Sequence, residues 1–304
     1  LTNPDSSTII VEREDLVAYD ETTGYWTLFF EGDQIPYNPF QAEDLTAAWV
    51  DDDGNIYVSG DPIGGSALAL IGTRNSTARG NYVYNNFGEG LVVDRGSVDS
   101  VAEGNVLYDN QHANLYLNST TNATIRGNFV YCTDDRTFWR KGSGTAYKPG
   151  PGIQIRDEVW PENTQPLSSG FVIVNNIAYG CSTNFGVSTQ RSGGGLNNSL
   201  VANNTFAHAR GDSLSGSDNV NFNFNGGMSV SGSVFVNNML LQSPSLADRN
   251  IRFQGLGDLS NFTIAHNLYS PGLNSMPSQW SQEEPGRVVT TDPRLLNAAL
   301  GAQI

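Results

Sequence analysis

Arg156, Asp157 and Glu158 stand side by side in this chain, and Lys141 and Lys148 are its two lysines. A cation gathered with carboxylates supplies the minimal parts of a polysaccharide lyase. Such an enzyme needs a base near a sugar C5 and a cation, or a metal held by carboxylates, to neutralise the uronate. In that arrangement Arg156 is the base, Asp157 and Glu158 are ligands for Ca2+, and Lys141 is a second cation. Hydrolysis of a glycosidic bond asks instead for two spaced carboxyls, which Glu89 with Asp94, Asp157 or Glu158 would supply. Sugar binding alone asks for amide and guanidinium groups that meet hydroxyls, and for rings that stack on sugars. Tyr116, Asn118, Trp139, Gln154, Arg156, Trp160, Gln190 and Arg252 are the candidates. His112 and His208 have no Ser or Cys partner at a recognisable spacing. Asp51-Asp52-Asp53-Gly54-Asn55 lacks the alternating Asp and distal Glu of a calcium loop and reads as a hairpin turn. No cofactor is therefore expected, Ca2+ entering only with the lyase chemistry.

The elements that would position these residues come from a repeated phrase. It is seen in Gly104-Asn105-Val106-Leu107-Tyr108, Gly127-Asn128-Phe129-Val130-Tyr131 and Asn175-Asn176-Ile177-Ala178-Tyr179. Its anchors are Asn81, Asn105, Asn128, Asn176, Asn204, Asn238 and Asn267, spaced by 24, 23, 48, 28, 34 and 29 residues. Each unit holds three short apolar runs of period two, such as Asn114-Leu115-Tyr116-Leu117, Ala123-Thr124-Ile125 and Phe129-Val130-Tyr131, punctuated by Asn, Gly and Ser. One such unit cannot bury its own apolar face. Stacked in register, however, every coil pairs its backbone with the next at ~4.8 Å. An Asn at each corner tolerates left-handed backbone angles and offers an amide to a ladder running from coil to coil.

From about Gly64 to Pro271 the chain thus resembles the right-handed parallel β-helix repeat proteins of pectin-lyase-like architecture. The resemblance implies an all-β fold of three-strand coils. It does not choose among lyases, hydrolases, epimerases, adhesins and passive spikes, which share that fold. Neither the paired Asp with Gly-His-Gly of β-helix polygalacturonases nor the Arg-x-Pro-x-x-Arg of pectate lyases occurs.

Laying the second run of each coil in register turns Leu91/Val93, Leu115/Leu117, Ile153/Ile155, Val187/Thr189, Phe222/Phe224 and Ile251/Phe253 inward. The residues between them form an outer ladder: Val92, Asp94, Tyr116, Asn118, Gln154, Arg156, Ser188, Gln190, Asn221, Asn223, Asn225, Arg252 and Gln254. An insertion from Thr133 to Gly150 overhangs this face, where long loops on a rigid frame usually carry binding residues. Cys132 and Cys181 follow consecutive anchors by four and five residues. They fall at equivalent corners of stacked coils, within disulfide reach.

Ahead of the coils, Leu16-Val17-Ala18-Tyr19, Tyr25 to Phe30, Leu45 to Val50 and Asn55 to Val58 alternate with turns. They resemble a single four-stranded β-propeller blade. The expected division is an antiparallel unit at 1–60 that caps the first coil, a β-helix at 61–275 and a C-terminal capping segment at 276–304. Asp and Glu number 31 against 16 Lys and Arg, a net charge of −15 that disfavours nucleic acid, anionic lipid and polyanions. No apolar run is long enough for a membrane helix. Leu1 in place of an initiator Met suggests a processed or excised chain, and an extracellular or cell-surface location is expected. Asn-x-Ser/Thr triplets at Asn75, Asn118, Asn122, Asn197, Asn203 and Asn261 permit glycosylation and imply no more. The leading expectation is a structural β-helix that self-associates into a filament, sheath or envelope. The other is a secreted protein that binds or cleaves polysaccharide with the outer ladder.

Overall fold

The computed structural model describes residues 66–141, 147–159, 164–211, 220–225, 228–242, 249–253, 261–270 and 284–290, with the strands at 16–20, 25–30, 45–50 and 56–60. Its coils make three parallel sheets. Sheet I runs in seven strands from Leu68–Ile71 to Arg249–Phe253. Sheet II runs in seven from Thr77–Arg79 to Thr263–Ala265, and sheet III in eight from Tyr82–Tyr84 to Val288–Val289. Apart from one turn of 3-10 helix at Arg136–Phe138, the described residues contain no helix. Ahead of the coils, Leu16–Asp20 pairs with Tyr25–Phe30 and Leu45–Val50 with Ile56–Gly60, all antiparallel. These are two separate two-stranded ladders rather than one four-stranded blade.

All seven anchors join one buried ladder at the corner between sheets II and III. Each side-chain Nδ2 donates to the Oδ1 of the next anchor at 2.8–3.0 Å, and each anchor's backbone N–H donates to the same oxygen. The left-handed turn falls one residue earlier, at Gly80, Gly104, Gly127, Asn175, Asn203, Asn237 and His266, with φ of 56–69°. Two demands expected of one residue are thus divided between neighbours. Beyond Asn267 the ladder ends on a carboxylate: Glu284, almost fully buried, accepts from the Asn267 amide at 2.7 Å and the Tyr269 hydroxyl at 2.9 Å.

A second amide ladder lines the start of sheet I. Asn86 donates to Asn110 and Asn110 to Asn114. Further along, Asn184 donates to Asn221 and Asn221 to Asn250. Between the two runs lies the Cys132–Cys181 disulfide, with an S–S distance of 2.09 Å. Asn114 Nδ2 points at both sulfurs, and Cys181 N–H donates to Asn184 Oδ1. Asn221 therefore faces the interior, not the outer ladder.

Leu91, Val93, Leu115, Leu117, Ile153, Ile155, Phe222 and Phe224 are all fully buried, as period two requires. The fifth coil differs from expectation by one pair. Phe185 and Val187 stand opposite Ile153 and Ile155, and Thr189 pairs with Asp157 at the strand's end. Phe185, Phe206, Phe222 and Phe235 stack through the core with centroid separations of 4.4–6.5 Å. Truncating Leu117 to Ala leaves a cavity in this close-packed interior and is expected to destabilise by ~2–5 kcal/mol, read as a lowered urea midpoint. An unchanged midpoint would mean that Leu117 does not face the core.

Candidate functional site

In sheet I, Leu115 lies between Leu91 and Ile153, which places Val92, Tyr116 and Gln154 in one outward row and Asp94, Asn118 and Arg156 beside it. The long fourth coil puts its extra residues at both ends of the Ile153–Asp157 strand, so loops flank the face where these rows lie.

The loop before the strand is tied down at its root. Thr133 donates through N–H and hydroxyl to Asp109, both at 2.7 Å. Arg210 spans the corner, reaching Cys132 O, Gly180 O and the Asp134 carboxylate. Phe138 packs on Phe87, and a short hairpin pairs Arg140–Lys141 with Tyr147–Lys148. The loop after the strand is held by Gln190 Oε1, which accepts from Val159 N–H, and by Arg191, which donates to Gln165 O.

Between the loops, Arg156 Nη1 lies 3.2 Å from Glu158 Oε1, and Tyr116 hydrogen-bonds to the same carboxylate. Asn118 accepts from Glu158 N–H at 3.1 Å and also bonds the Asp94 carboxyl. Burial pushes Asp94 up from its ordinary 3.8 to about 6, and the charge of Glu158 adds to the rise. The Arg95 N–H and guanidinium, with Asn118, act the other way. Burial, with the charge of Glu158 behind it, also raises the Tyr116 phenol. The face thus holds two adjacent carboxyls in unlike surroundings: Asp94 enclosed, with its side chain 14% exposed near Arg95, and Glu158 one-third exposed and paired with Arg156.

The remaining candidates are dispersed. Asp157 turns inward, where its carboxylate accepts from Ser168 and Gly195 N–H at 2.8 and 2.9 Å, so it staples the coil and is no outer metal ligand. Glu89 begins the strand that Asp94 ends, ~17 Å away at ~3.4 Å per residue, and its neighbour is His112 at 3.5 Å. That separation is too long for a glycosidase pair. Lys141 is exposed on the hairpin, with no ion pair to Asp157 or Glu158 among the described residues. Trp139 is buried in its own loop, under Arg136 and donating to Thr133 O. The ring of Tyr116 is also buried, so neither offers an open stacking face. Gln154 and Arg252 are half-buried in the outer row, and Gln190 is exposed. Trp160 and Gln254 lie outside the described residues.

Three parallel sheets stacked coil on coil define a right-handed parallel β-helix. The family described as periplasmic copper-binding protein (NosD) matches residues 3–236, and the chain belongs to that family. No curated protein matches it. Among solved structures it is similar to DFA-IIIase from Arthrobacter chlorophenolicus A6, without its lid: 11% identity, TM-score 0.38, covering 74% of this chain and 55% of that one. A mannuronic acid specific polysaccharide family 6 lyase from human gut microbiota gives 12% identity and TM-score 0.40, covering 77% and 58%. The Dettilon tailspike protein gives 10% and 0.32, covering 76% and 53%. The chain spans little more than half the length of these proteins.

Copper favours thiolate, thioether and imidazole donors. Both cysteines are consumed in the disulfide, Met228 is buried in the core, Met239 lies in sheet III between Thr205 and Leu268, and His112, His208 and His266 stand on different coils. No group of three His, Cys, Asp or Glu able to hold a metal occurs among the described residues. Their donor set does not fit copper.

Proposed function

We propose that this chain is an exported β-helix protein that binds a glycan across the outer face of sheet I and hydrolyses it with Asp94 and Glu158. The observation that carries this reading is the pairing on one face of a carboxyl pushed up to about 6 with a second carboxylate held by Arg156 and Tyr116. Environments that push two carboxyls apart assign their roles. Asp94, protonated below about pH 6, gives its proton to the leaving oxygen, and Glu158 takes a proton from the attacking water. Arg156 orients Glu158, so Arg156→Ala should also abolish cleavage. The family's periplasmic description and the buried disulfide both support a location outside the cytoplasm.

The test is a screen of the full chain. Neutral glycans are assayed for new reducing ends, and uronate polymers with added calcium for the ultraviolet absorbance of the unsaturated product. Cleavage that declines as pH rises through about 6 is the expected result. Silence across both panels overturns the enzyme reading.

A second reading, end-to-end self-association, has its own observation. The first and last strands of sheet III carry exposed apolar side chains, Tyr82 and Tyr84 at 51% and 49%, Val288 and Val289 at 48% and 46%. Apolar strand edges invite pairing between copies. In this reading residues 1–60 cap the coils of 61–275, with 276–304 closing the far end. Burial of Ala67, Ala78 and Val83 in the first coil supports such a cap. A chain that stays monomeric at high concentration contradicts it.

A further inference from the structure

The outward row of sheet I continues past the carboxyl pair. Tyr116, Gln154, Gly186, Asn223 and Arg252 lie in register on successive strands, ~4.8 Å apart. Gly186 alone in that row has no side chain, and Gln154 lies across it: a Cβ there would stand 2.4 Å from Gln154 Oε1. The Gln154 amide is fixed in that pose because its Nε2 donates to Ser188 Oγ at 3.3 Å and Ile155 O at 3.0 Å. Both donor positions are therefore spent, and Oε1 is left as an acceptor. On the far side of Gly186, Asn223 is 7% exposed and its Oδ1 has no hydrogen-bond partner. A buried amide oxygen left unpaired is costly and rare; this one has almost no accessible surface, and a half-turn of the Asn223 amide would bring it to a donor supplied from outside the chain.

We propose that the floor between Gln154 and Asn223 is a subsite for an uncharged, hydroxyl-rich sugar unit, seated over Gly186 and donating hydroxyls to Gln154 Oε1 and Asn223 Oδ1. The inference rests on the glycan reading above and names its substrate class. Two acceptors accept hydroxyl donors and repel a carboxylate. Two arginines border this floor: Arg156 is already committed to Glu158, and Arg252, next to Asn223 in the row, is engaged in an interaction of its own. Glu158, just past the end of the Gln154 strand, adds negative charge one strand from Gly186, Asp94 lies three strands away, and the whole chain carries −15. A uronate at this position would meet oxygen lone pairs and like charge, whereas a neutral unit satisfies the orphaned Asn223 oxygen. A glycan held at both places must cross the strands, running along the axis of the coil. A site built to hydrogen-bond a hydroxyl discriminates strongly against ligands that leave its polar groups unpaired.

The experiment is calorimetric titration of the full chain with hexasaccharides of β-glucan, β-mannan and fructan, and with hexauronates from polygalacturonate and alginate. At least one neutral oligomer is expected to bind and the hexauronates are not. Asn223→Leu removes the acceptor, and Gly186→Ala displaces the Gln154 amide. Each is expected to weaken neutral binding about tenfold or more, as loss of one such hydrogen bond implies. Circular dichroism and thermal midpoints establish that each variant is folded, and either variant alone suffices for the comparison. Hexauronates binding as tightly as neutral oligomers, or folded variants binding like the parent, overturn the subsite. The acid–base assignment is judged separately, on cleavage by Asp94→Asn, so failure here leaves it standing.

Discussion

Asp94→Asn is expected to remove cleavage and at the same time to stabilise the protein above neutral pH. Loss of a positioned proton donor costs about 10²–10⁴-fold in rate. The stability effect follows from the direction of the shift. A carboxyl raised from 3.8 to about 6 in the folded state stabilises fully below its unfolded value, and that contribution is lost as pH rises through about 6. At pH 8 the enclosed charge costs on the order of 3 kcal/mol, which the uncharged amide avoids. Asn118 and the Arg95 N–H can still donate to the amide oxygen. The variant should therefore show a higher urea midpoint than the parent at pH 8 and nearly the same midpoint at pH 4. A difference that does not change with pH, or one of opposite sign at pH 8, would contradict the enclosure of this carboxyl. Stability given up for function is common at working sites, and here one side chain would carry both effects.

Asn176→Ala, like Asn204→Ala with its matching set of bonds, is expected to have the largest effect on stability among single ladder changes. Asn176 Oδ1 accepts the backbone N–H and the amide of Asn128, and its Nδ2 donates to Ile125 O, Val174 O and Asn204 Oδ1. Truncation strips two donors and three acceptors spread over three successive coils, all inside the protein. Each buried group left unsatisfied costs ~1–3 kcal/mol before relaxation, so a total loss of about 3–5 kcal/mol is expected. Asn81→Ala, at the open end, removes only donation toward Asn105 and should cost less. Equal losses at the two positions in urea titrations would mean that the ladder does not act as a continuous column.

Much of the frame was legible because anchors and apolar runs recur in a simple period. Period two fixes which face a residue takes but not how far a strand slides along its neighbour. In Phe185-Gly186-Val187-Ser188-Thr189 the odd-numbered residues share one face, and only the pairing of Ile153 with Phe185 shows which two stand opposite Ile153 and Ile155. The second amide ladder escaped notice because Asn114, Asn184, Asn221 and Asn250 sit in unlike phrases and converge only when the coils stack. The disulfide was readable because both cysteines follow anchors at nearly the same offset. The carboxyl pair was half visible. Asp94 and Glu158 had been paired with Glu89 as alternatives, yet what joins them to each other is the lateral neighbourhood of Asp94, Asn118 and Arg156 across three strands. Local sequence also made Asp157 look like a partner of Glu158. Strand alternation turns it inward onto Ser168 and Gly195 instead.

In this reading Asp94 holds its proton up to about pH 6 while its neighbour Glu158 is held by Arg156. Carbon-13 NMR titration of the side-chain carboxyls, with Asp94 assigned by its disappearance in Asp94→Asn, measures this directly. The expected midpoint for Asp94 is near 6, moving down when Glu158 is replaced by Gln. A midpoint in the ordinary aspartate range, unaffected by Glu158→Gln, would contradict it.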